Sequence, residues 1–240
     1  MADRKIISVF SATGVLGGSA DLNDKSTLIP AMTLAAAVFA ITNYWDYMDA
    51  AAAGVAYLAA VEAAYTRAVS LPAAFFLPAF FISNFMPGKG MLRQAAADGV
   101  WELAMPVPAT ALLPFFKTRD TAKFVKAAML HRDKLLGKRS LGAMGYTTFG
   151  AVVDGFKKVF PEAGKNTRYI QQTQDEYRGQ LTKTRMLEAI AQELLENFLL
   201  FDYVGYYSGK SLDETHSFVE DKLTTWEEFL TNSPKFAGLQ

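Results

Sequence analysis

A short glycine-rich segment near the start of the chain has the residue types of a phosphate-binding loop. It reads SATGVLGG from Ser11 to Gly18 and directly follows an apolar run from Lys5 to Phe10. Small residues let a backbone approach a pyrophosphate closely, and N–H groups at the start of a following helix meet its charge. The segment therefore predicts dinucleotide binding, and a glycine-rich turn without a ligand remains the alternative.

Residues that usually supply thiol, metal or acid–base chemistry are scarce. The chain has no cysteine, which excludes disulfides, thiolate zinc sites and thiol nucleophiles. Its two histidines, His131 and His216, lie among charged residues, and we expect both on the solvated surface. Tyr44 and Tyr65 could donate a proton, but neither is followed three or four residues later by a lysine that would lower its pKa. We identify no Tyr-x-x-x-Lys catalytic pair and no metal site, so enzyme activity stays open.

Charge and hydropathy exclude some classes of partner. Lys and Arg together number 24, as do Asp and Glu, so the formal charge is zero and direct nucleic-acid binding is not expected. The most apolar stretch, 69–86, contains two prolines and an asparagine and lacks a basic flank, which favours a buried strand and loop over a membrane span. The N-terminus lacks the apolar core of a signal peptide, so we expect a cytoplasmic protein, with nuclear localisation left open.

The elements that would position the loop alternate between strand and helix. Such alternation is typical of an α/β fold with a parallel sheet. The predicted strands are Lys5–Phe10, Ala37–Thr42, Ala51–Leu58 and Ala73–Leu77, and the predicted helices run from Asp24 or Ser26 to about Ala36 and over Ala60–Ala68.

From Trp101 onward charged and apolar residues interleave at helical spacing. This pattern divides the chain into a region at 1–99, which holds the glycine-rich loop and would bind the dinucleotide, and a mostly helical region at 100–240. The predicted helices are Thr121–His131, Phe149–Phe160, Thr184–Tyr203 and a short last helix that begins at a Thr225 capping box. Asp120 and Thr147 or Thr148 are the expected caps of the first two, and Lys138–Met144 is a predicted strand.

Read together, four successive segments resemble those of the NmrA-like family. They are VFSATGVLGGS, DLNDKSTLIPAM, AVFAITNYWD and FFLPAFFISNF. The most distinctive motif among them is TNYWD. Later segments agree in order, namely TRDTAKFVKAAMLHRDKLLGKRSL, FKKVFPEAGK, AQELLENFLLFDYVGYY and TTWEEFL. The family consists of atypical short-chain-dehydrogenase-like proteins that bind NADP(H). The resemblance covers nearly the whole chain and implies a Rossmann-like parallel sheet, here reduced in strand number. It also implies that 100–240 is the region on the substrate or partner side.

The resemblance also implies which residues bind the cofactor. Grouped by the part of the dinucleotide that each faces, they are Thr13, Gly14, Val15, Leu16 and Gly17 at the pyrophosphate, Asp21 and Leu22 beside the adenine, Thr42, Asn43 and Tyr44 along the ribose and nicotinamide, and Phe80 near the nicotinamide. Two of these have plainer alternatives. Thr42 could cap a strand, and Phe80 could belong to the core.

The chain departs from the family in length. Ser11 replaces the first glycine of the usual Gly-x-x-Gly-x-x-Gly, and only two residues separate Gly18 from Asp21. Two residues cannot hold the first helix and the second and third strands of the family sheet, because a βαβ unit takes roughly 30 residues. The basic residues that select the 2′-phosphate of NADP are lost with them. We expect weakened cofactor binding and an exposed edge on the first strand, with lower stability than a full-length relative.

A second block is missing around Met48–Ala64, where the family has a longer helix, a strand and a lysine that resembles the dehydrogenase catalytic lysine.

Three hypotheses about function follow from the sequence. The first is a regulatory protein that senses NADP(H), is connected to transcriptional regulation and acts through a protein partner. The second is an oxidoreductase that reduces a small carbonyl or enone metabolite. The third is a truncated product that binds no nucleotide and acts only through protein interaction. None of them involves a membrane.

Overall fold

The computed structural model of the chain describes residues 6–11, 35–41, 73–88 and 90–239, and for the first two ranges it describes the backbone. The chain divides into two compact units, Met1–Ala73 and Ala74–Gln240. The division predicted between residues 99 and 100 separates regions by their role rather than by compactness, and it stays a prediction. The two units are described one after the other.

The first unit contains a pair of parallel strands. β1 (Ile6–Ser11) and β2 (Ala35–Ile41) are paired in register from Ile7 opposite Ala37 to Ser11 opposite Ile41. Both strands and their parallel direction confirm the prediction from the two apolar runs. The end predicted for the intervening helix is wrong, because β2 already begins at Ala35. The rest of that helix, the strand at 51–58 and the helix at 60–68 lie outside the described residues.

The second unit contains short strands in three small sheets. β3 pairs with β8 in parallel, β7 lies between β4 and β9, and β6 lies between β10 and β5. The strands are β3 (Phe75–Pro78), β4 (Phe80–Phe81), β5 (Leu92–Gln94), β6 (Trp101–Met105), β7 (Leu112–Phe116), β8 (Arg139–Gly142), β9 (Gly145–Thr148) and β10 (Arg168–Gln171). The predicted strands at Ala73–Leu77 and Lys138–Met144 are thereby confirmed as β3 and β8.

This unit also contains helices, which are numbered here within the described residues. They are α1 (Thr121–Leu130), α2 (Arg132–Leu135), α3 (Phe149–Val159), α4 (Gln174–Lys183), α5 (Glu188–Tyr203), α6 (Asp213–His216) and α7 (Trp226–Asn232). In the part of the chain that the structure describes, none of them is both long and apolar enough to cross a membrane. The apolar stretch at 69–86 contributes β3, β4 and a 3₁₀ turn at Ile82–Phe85 instead.

Helix caps test the sequence predictions residue by residue. The Thr148 hydroxyl accepts a hydrogen bond from the Ala151 N–H at 3.1 Å, and Thr225 forms the predicted capping box. Asp120 occupies the N-cap position of α1, as predicted, but its side chain makes no capping hydrogen bond. Its buried carboxylate instead accepts hydrogen bonds from the N–H and hydroxyl of Thr224, at 2.8 and 3.1 Å. Asp120 therefore joins the start of α1 to the segment that leads into α7.

The helix predicted from Thr184 begins only at Glu188. Residue Arg185 has a φ of 67°, a left-handed conformation that an α-helix does not tolerate. A separate helix, α4, precedes this break and begins with a capping box formed by Thr173 and Glu176. Two helices therefore stand where one was expected to start.

The core of the second unit is unusually aromatic, and Trp226 lies near its centre. The Trp226 indole donates a hydrogen bond to the Val152 carbonyl at 3.0 Å, and its ring lies 5.6 Å from that of Phe115 and 5.7 Å from that of Phe85. Edge-on aromatic pairs at such distances add to the stabilisation that apolar burial gives. The core thus ties α7 to α3 and β7.

We expect Gly155→Ala to destabilise the protein, although the same change stabilises most helices. A Cβ at Gly155, inside α3, would lie 2.6 Å from Cδ1 of Trp226, so the indole must shift. We expect a loss of about 1–3 kcal/mol for such overpacking. Gly179→Ala in α4 is the matched control, since its Cβ meets no atom within 4 Å, and a gain of about 0.5–1 kcal/mol is expected. Urea denaturation measures both, and a stabilising Gly155→Ala would contradict the packing described.

Candidate functional site

Ligands of open α/β sheets bind beyond the carboxyl ends of parallel strands, and β1 and β2 end together. Ser11, the last residue of β1, is paired with Ile41, the last residue of β2. The glycine-rich loop therefore follows one strand in sequence, and Thr42 follows the other directly, from the same edge of the sheet. The predicted residues of this edge lie outside the described residues: Thr13, Gly14, Val15, Leu16, Gly17, Asp21, Leu22, Thr42, Asn43 and Tyr44.

The second unit has a parallel edge of its own, formed by β3 and β8. Pro78, the last residue of β3, is paired with Gly142, the last residue of β8. Phe80 follows two residues later and is paired with Phe115 of β7. Among the predicted site residues, Phe80 is the one that the structure describes. It lies just beyond the carboxyl end of a parallel strand, β3.

Phe80 is half-buried in a cluster of phenylalanine rings. Its ring lies 6.0 Å from that of Phe198 and 5.8 Å from that of Phe201, in both cases edge to face, and 5.8 Å from that of Phe85. Phe198 and Phe201 are three residues apart on α5, so both face the same side of the helix. Phe80 packs on the core while part of its surface stays accessible, and its role beside a nicotinamide remains a prediction.

Two tyrosines that sequence reasoning missed hold the end of β3. The Tyr207 hydroxyl donates to the Leu77 carbonyl at 2.7 Å, and the Tyr206 hydroxyl donates to the Pro78 carbonyl at 3.2 Å. Both tyrosines follow α5 in a turn from Gly205 to Gly209. The sequence signal that could have found them is the pair of tyrosines between glycines, GYYSG.

These residues also correct the search for a Tyr-x-x-x-Lys pair, because Tyr206 and Lys210 have that spacing. The spacing lies in a turn rather than on a helix, with φ of 73° at Gly205 and 71° at Gly209. The Tyr206 hydroxyl is engaged by Pro78, and partial burial raises its pKa rather than lowering it. A tyrosine with a raised pKa is a poor proton donor to a developing alkoxide.

Other tyrosines of this unit are also hydrogen-bond donors in their protonated form. Burial raises the pKa of Tyr207, of Tyr146 and of Tyr169. The hydroxyls of Tyr146 and Tyr169 donate to the main-chain carbonyls of Lys210 and Val107, at 2.8 and 2.5 Å. Each phenol therefore fixes a segment of backbone in its neutral state.

Both histidines are packed rather than solvated, so that expectation is wrong. His216 is half-buried on α6, and its Nε2 lies 2.8 Å from the carbonyl oxygen of Ala143, which accepts a hydrogen bond from it. His131 is half-buried with its ring 5.3 Å from that of Phe218. Both partners are remote in sequence, and both contacts join segments of the fold. Within the described residues, no group of three histidine, aspartate or glutamate side chains could hold a metal ion.

We expect Phe80→Ala and Phe80→Leu to separate the packing role of Phe80 from any ligand role. Removing the ring leaves a gap beside Phe198 and Phe201, and we expect a loss of about 3 kcal/mol. Leucine refills most of the volume, and a loss of about 1 kcal/mol is expected. Urea denaturation measures both losses. Equal stability of Phe80→Ala and the parent chain would show that Phe80 is not packed as described.

The family is established by sequence. The model of the NmrA-like family matches residues 59–230, so the chain belongs to the NmrA-like family. A comparison with curated proteins found no match. The match begins before β3 and ends at Leu230 within α7, so it includes Phe80 and the turn from Gly205 to Gly209, whereas β1 and β2 precede it.

Solved structures agree on an α/β, Rossmann-like fold, as predicted. A triphenylmethane reductase from Citrobacter sp., complexed with NADP(H), is similar over 96% of this chain and 76% of its own, with a TM-score of 0.57 and 13% identity. NmrA, a negative transcriptional regulator in complex with NAD, is similar over 73% of this chain, with a TM-score of 0.50 and 13% identity. The chain covers 55% of the length of that NmrA structure.

Proposed function

We propose that the chain is a regulatory protein that binds a nicotinamide dinucleotide, NADP(H), beyond the carboxyl ends of β1 and β2. One observation carries the proposal: Ser11 and Ile41 close two adjacent parallel strands at the same position. Two segments that resemble the family's cofactor loops follow these strands directly in sequence. Membership of the NmrA-like family and the NAD and NADP(H) complexes of the structural neighbours support the choice of ligand.

The part of this site that the structure describes, β1 and β2, is compatible with such a ligand. Two parallel strands that end side by side direct the following loops to one edge, where main-chain N–H groups can meet a diphosphate. Under the proposal, Thr13 to Gly17 contact the pyrophosphate, Asp21 and Leu22 the adenine, and Thr42 to Tyr44 the ribose. A bound nicotinamide would supply or accept a hydride.

A sensing role is favoured over turnover by the phenols at the β3 edge. Tyr206 and Tyr207 donate to main-chain carbonyls, and their pKa values are raised. Neither phenol is therefore a good proton donor to the alkoxide that forms when a carbonyl substrate is reduced. Under the proposal the protein reports on the cofactor pool through a protein partner, in the cytoplasm or the nucleus. The similarity to a reductase keeps reduction of a small carbonyl or enone as the second candidate.

A thermal-shift experiment tests the binding proposal. NADPH at a hundred times its Kd stabilises the folded state by about 2.7 kcal/mol, which raises the Tm of a chain of this size by roughly 5–10 °C. An unchanged Tm at millimolar NADPH and NADP⁺ would favour the third hypothesis, a chain that binds no nucleotide.

Turnover separates the regulator from the reductase. With NADPH and a panel of aldehydes, ketones and enones, a regulator consumes no cofactor beyond the stoichiometric amount. Sustained NADPH oxidation with any member of the panel would replace the regulatory proposal by the enzymatic one.

A further inference from the structure

Charged residues of the second unit are distributed unevenly along the chain. Residues 117–139, which contain α1 and α2, include eight Lys and Arg but two Asp and no Glu. Residues 213–228, which lead from α6 into α7, include six Asp and Glu but one Lys. The chain as a whole has no net charge. The two segments, called here the basic segment and the acidic segment, therefore carry opposite charges, which favour association and fix its register.

Four contacts between these segments follow one another along α1. They join residues of 120–131 to residues of 218–224, and in chain order they are Asp120 with Thr224, Lys123 with the Lys222 carbonyl, Lys126 with Asp221, and His131 with Phe218. As the residue numbers rise along the helix, those of the partners fall. Residues 218–224 therefore run antiparallel to α1 over the length of the helix.

The contacts also show which chemistry α1 binds. The Lys126 amine lies 2.8 Å from an Asp221 carboxylate oxygen, and the His131 ring lies 5.3 Å from that of Phe218. Further apolar side chains of 218–224 pack against the cluster of buried residues that contains Phe124. The helix thus binds a segment that combines acidic and apolar side chains. A nucleic-acid backbone or a lipid headgroup would supply the charge but not the apolar contacts.

Beyond these contacts, the end of α1 and the start of α2 expose the same kinds of side chain. Two are apolar and two are basic, and we call them the open basic surface: Leu130, Arg132, Lys134 and Leu136. Leu130 is 62% exposed and Leu136 is 42% exposed. Six residues of helix rise by about 9 Å, so one bound segment can reach all four side chains.

Acidic residues near the open basic surface leave its positive charge accessible. The Asp133 carboxylate lies 3.8 Å from the Arg132 guanidinium, but the two side chains are 93% and 71% exposed. Such an exposed pair contributes little. Glu214 of the acidic segment binds Lys138, at 2.7 Å, on the far side of Leu136 in the sequence. The surface therefore lies between two points at which the basic segment is already bound by acidic residues.

We propose that the open basic surface binds an acidic, partly apolar segment of a protein partner, as α1 binds residues 218–224. The two leucines receive apolar side chains, and Arg132 and Lys134 pair with carboxylates. A surface of four side chains fits a weak, transient interaction. The inference deepens the proposed action through a protein partner and rests on that part of the proposed function, but it does not rest on dinucleotide binding.

A fluorescein-labelled peptide with the sequence of residues 213–224, DETHSFVEDKLT, is the probe, because it carries the chemistry that α1 binds. Fluorescence anisotropy with the full chain, in the absence of dinucleotide, should show saturable binding that weakens as salt is added. Charge reversal by Arg132→Glu together with Lys134→Glu should raise the Kd at least tenfold. The matched control is Lys158→Glu together with Lys165→Glu, which changes the net charge equally at exposed positions outside the basic segment, and a change below twofold is expected.

Leu130→Ser tests the apolar part of the surface. We expect the Kd to rise at least threefold, because the probe loses an apolar contact while the charges stay the same. Leu200→Ser is its control, since Leu200 is 49% exposed on α5, and the Kd should stay within twofold of the parent value. All substituted positions are exposed, and circular dichroism checks that each variant is folded.

Absence of probe binding to the parent chain would overturn the inference, as would an equal rise in Kd for the two charge-reversal variants. Equally tight binding of a short DNA duplex, or of vesicles of equimolar phosphatidylcholine and phosphatidylserine, would also overturn it, because the surface would then recognise negative charge alone. A Kd lowered at least fivefold by Asp221→Asn would show that the probe replaces residues 218–224 on α1, and the open basic surface would not be its site. A chain that binds this probe but no NADPH contradicts the dinucleotide site and leaves the inference intact.

Discussion

Gly14→Val is expected to weaken NADPH binding at least tenfold. The resemblance places Gly14 in the pyrophosphate loop that follows β1, where a backbone approaches the ligand closely enough to exclude a branched side chain. A tenfold increase in Kd corresponds to about 1.4 kcal/mol of binding free energy. Calorimetric titration of NADPH into the parent chain and the variant measures the change.

The control for this prediction is Gly179→Ala. Gly179 lies in α4, and a Cβ added there meets no atom within 4 Å. It is expected to leave the Kd within twofold of the parent value. If Gly14→Val folds and binds NADPH as tightly as the parent, the loop does not contact the pyrophosphate, and the residue assignments from Thr13 to Gly17 fail together.

Trp226→Ala is expected to cause the largest loss of stability of any substitution considered. The indole is buried against Phe85, Phe115 and Phe229, and its N–H is bound by the Val152 carbonyl. Truncation leaves a large cavity and removes the indole hydrogen bond to the Val152 carbonyl, with an expected loss of about 3–5 kcal/mol. That is a large fraction of the roughly 5–15 kcal/mol that stabilises a typical domain. Urea denaturation followed by circular dichroism measures it.

Trp226→Phe separates the two causes of this loss. Phenylalanine keeps an aromatic ring in the core but cannot donate to Val152, and we expect a loss of about 1–2 kcal/mol. A loss below 1 kcal/mol in Trp226→Ala would mean that α7 is not packed into the core as described.

Local patterns in the sequence predicted the elements that local forces determine. The runs at Lys5–Phe10 and Ala37–Thr42 predicted β1 and β2, because a parallel strand is apolar on both faces. The Thr225 capping box predicted the start of α7, since its signal lies within four residues. The same signal at Thr173 marks α4 but was missed, because Tyr177 and Leu181 are the apolar residues of that helix and are too few to give a clear apolar stripe.

Contacts between remote residues could not be predicted in this way. Asp120 looked like a helix cap, yet its carboxylate binds Thr224, 104 positions away in the sequence. His131 and His216 stand among charged neighbours in sequence, but in the fold one ring packs on Phe218 and the other binds the Ala143 carbonyl. Sequence context reports neighbours along the chain, whereas burial depends on which segments the fold brings together.

In the candidate site too, local features could be predicted from the sequence, whereas contacts between remote residues could not. The position of Phe80 shortly after a strand followed from the sequence, since β3 was predicted at nearly the correct residues. Its aromatic neighbours Phe198 and Phe201 lie on α5, and the anchors Tyr206 and Tyr207 lie in the turn that follows. No local pattern connects that turn to the end of β3.

Calorimetric titration of both NADPH and NADH into the full chain tests dinucleotide binding most directly. Saturable binding of one dinucleotide per chain, with a Kd below 1 mM, is expected from the paired strand ends and the loops that follow them. Absence of binding heat for either dinucleotide at several temperatures, with the chain shown to be folded, would contradict the claim and leave only the family relationship.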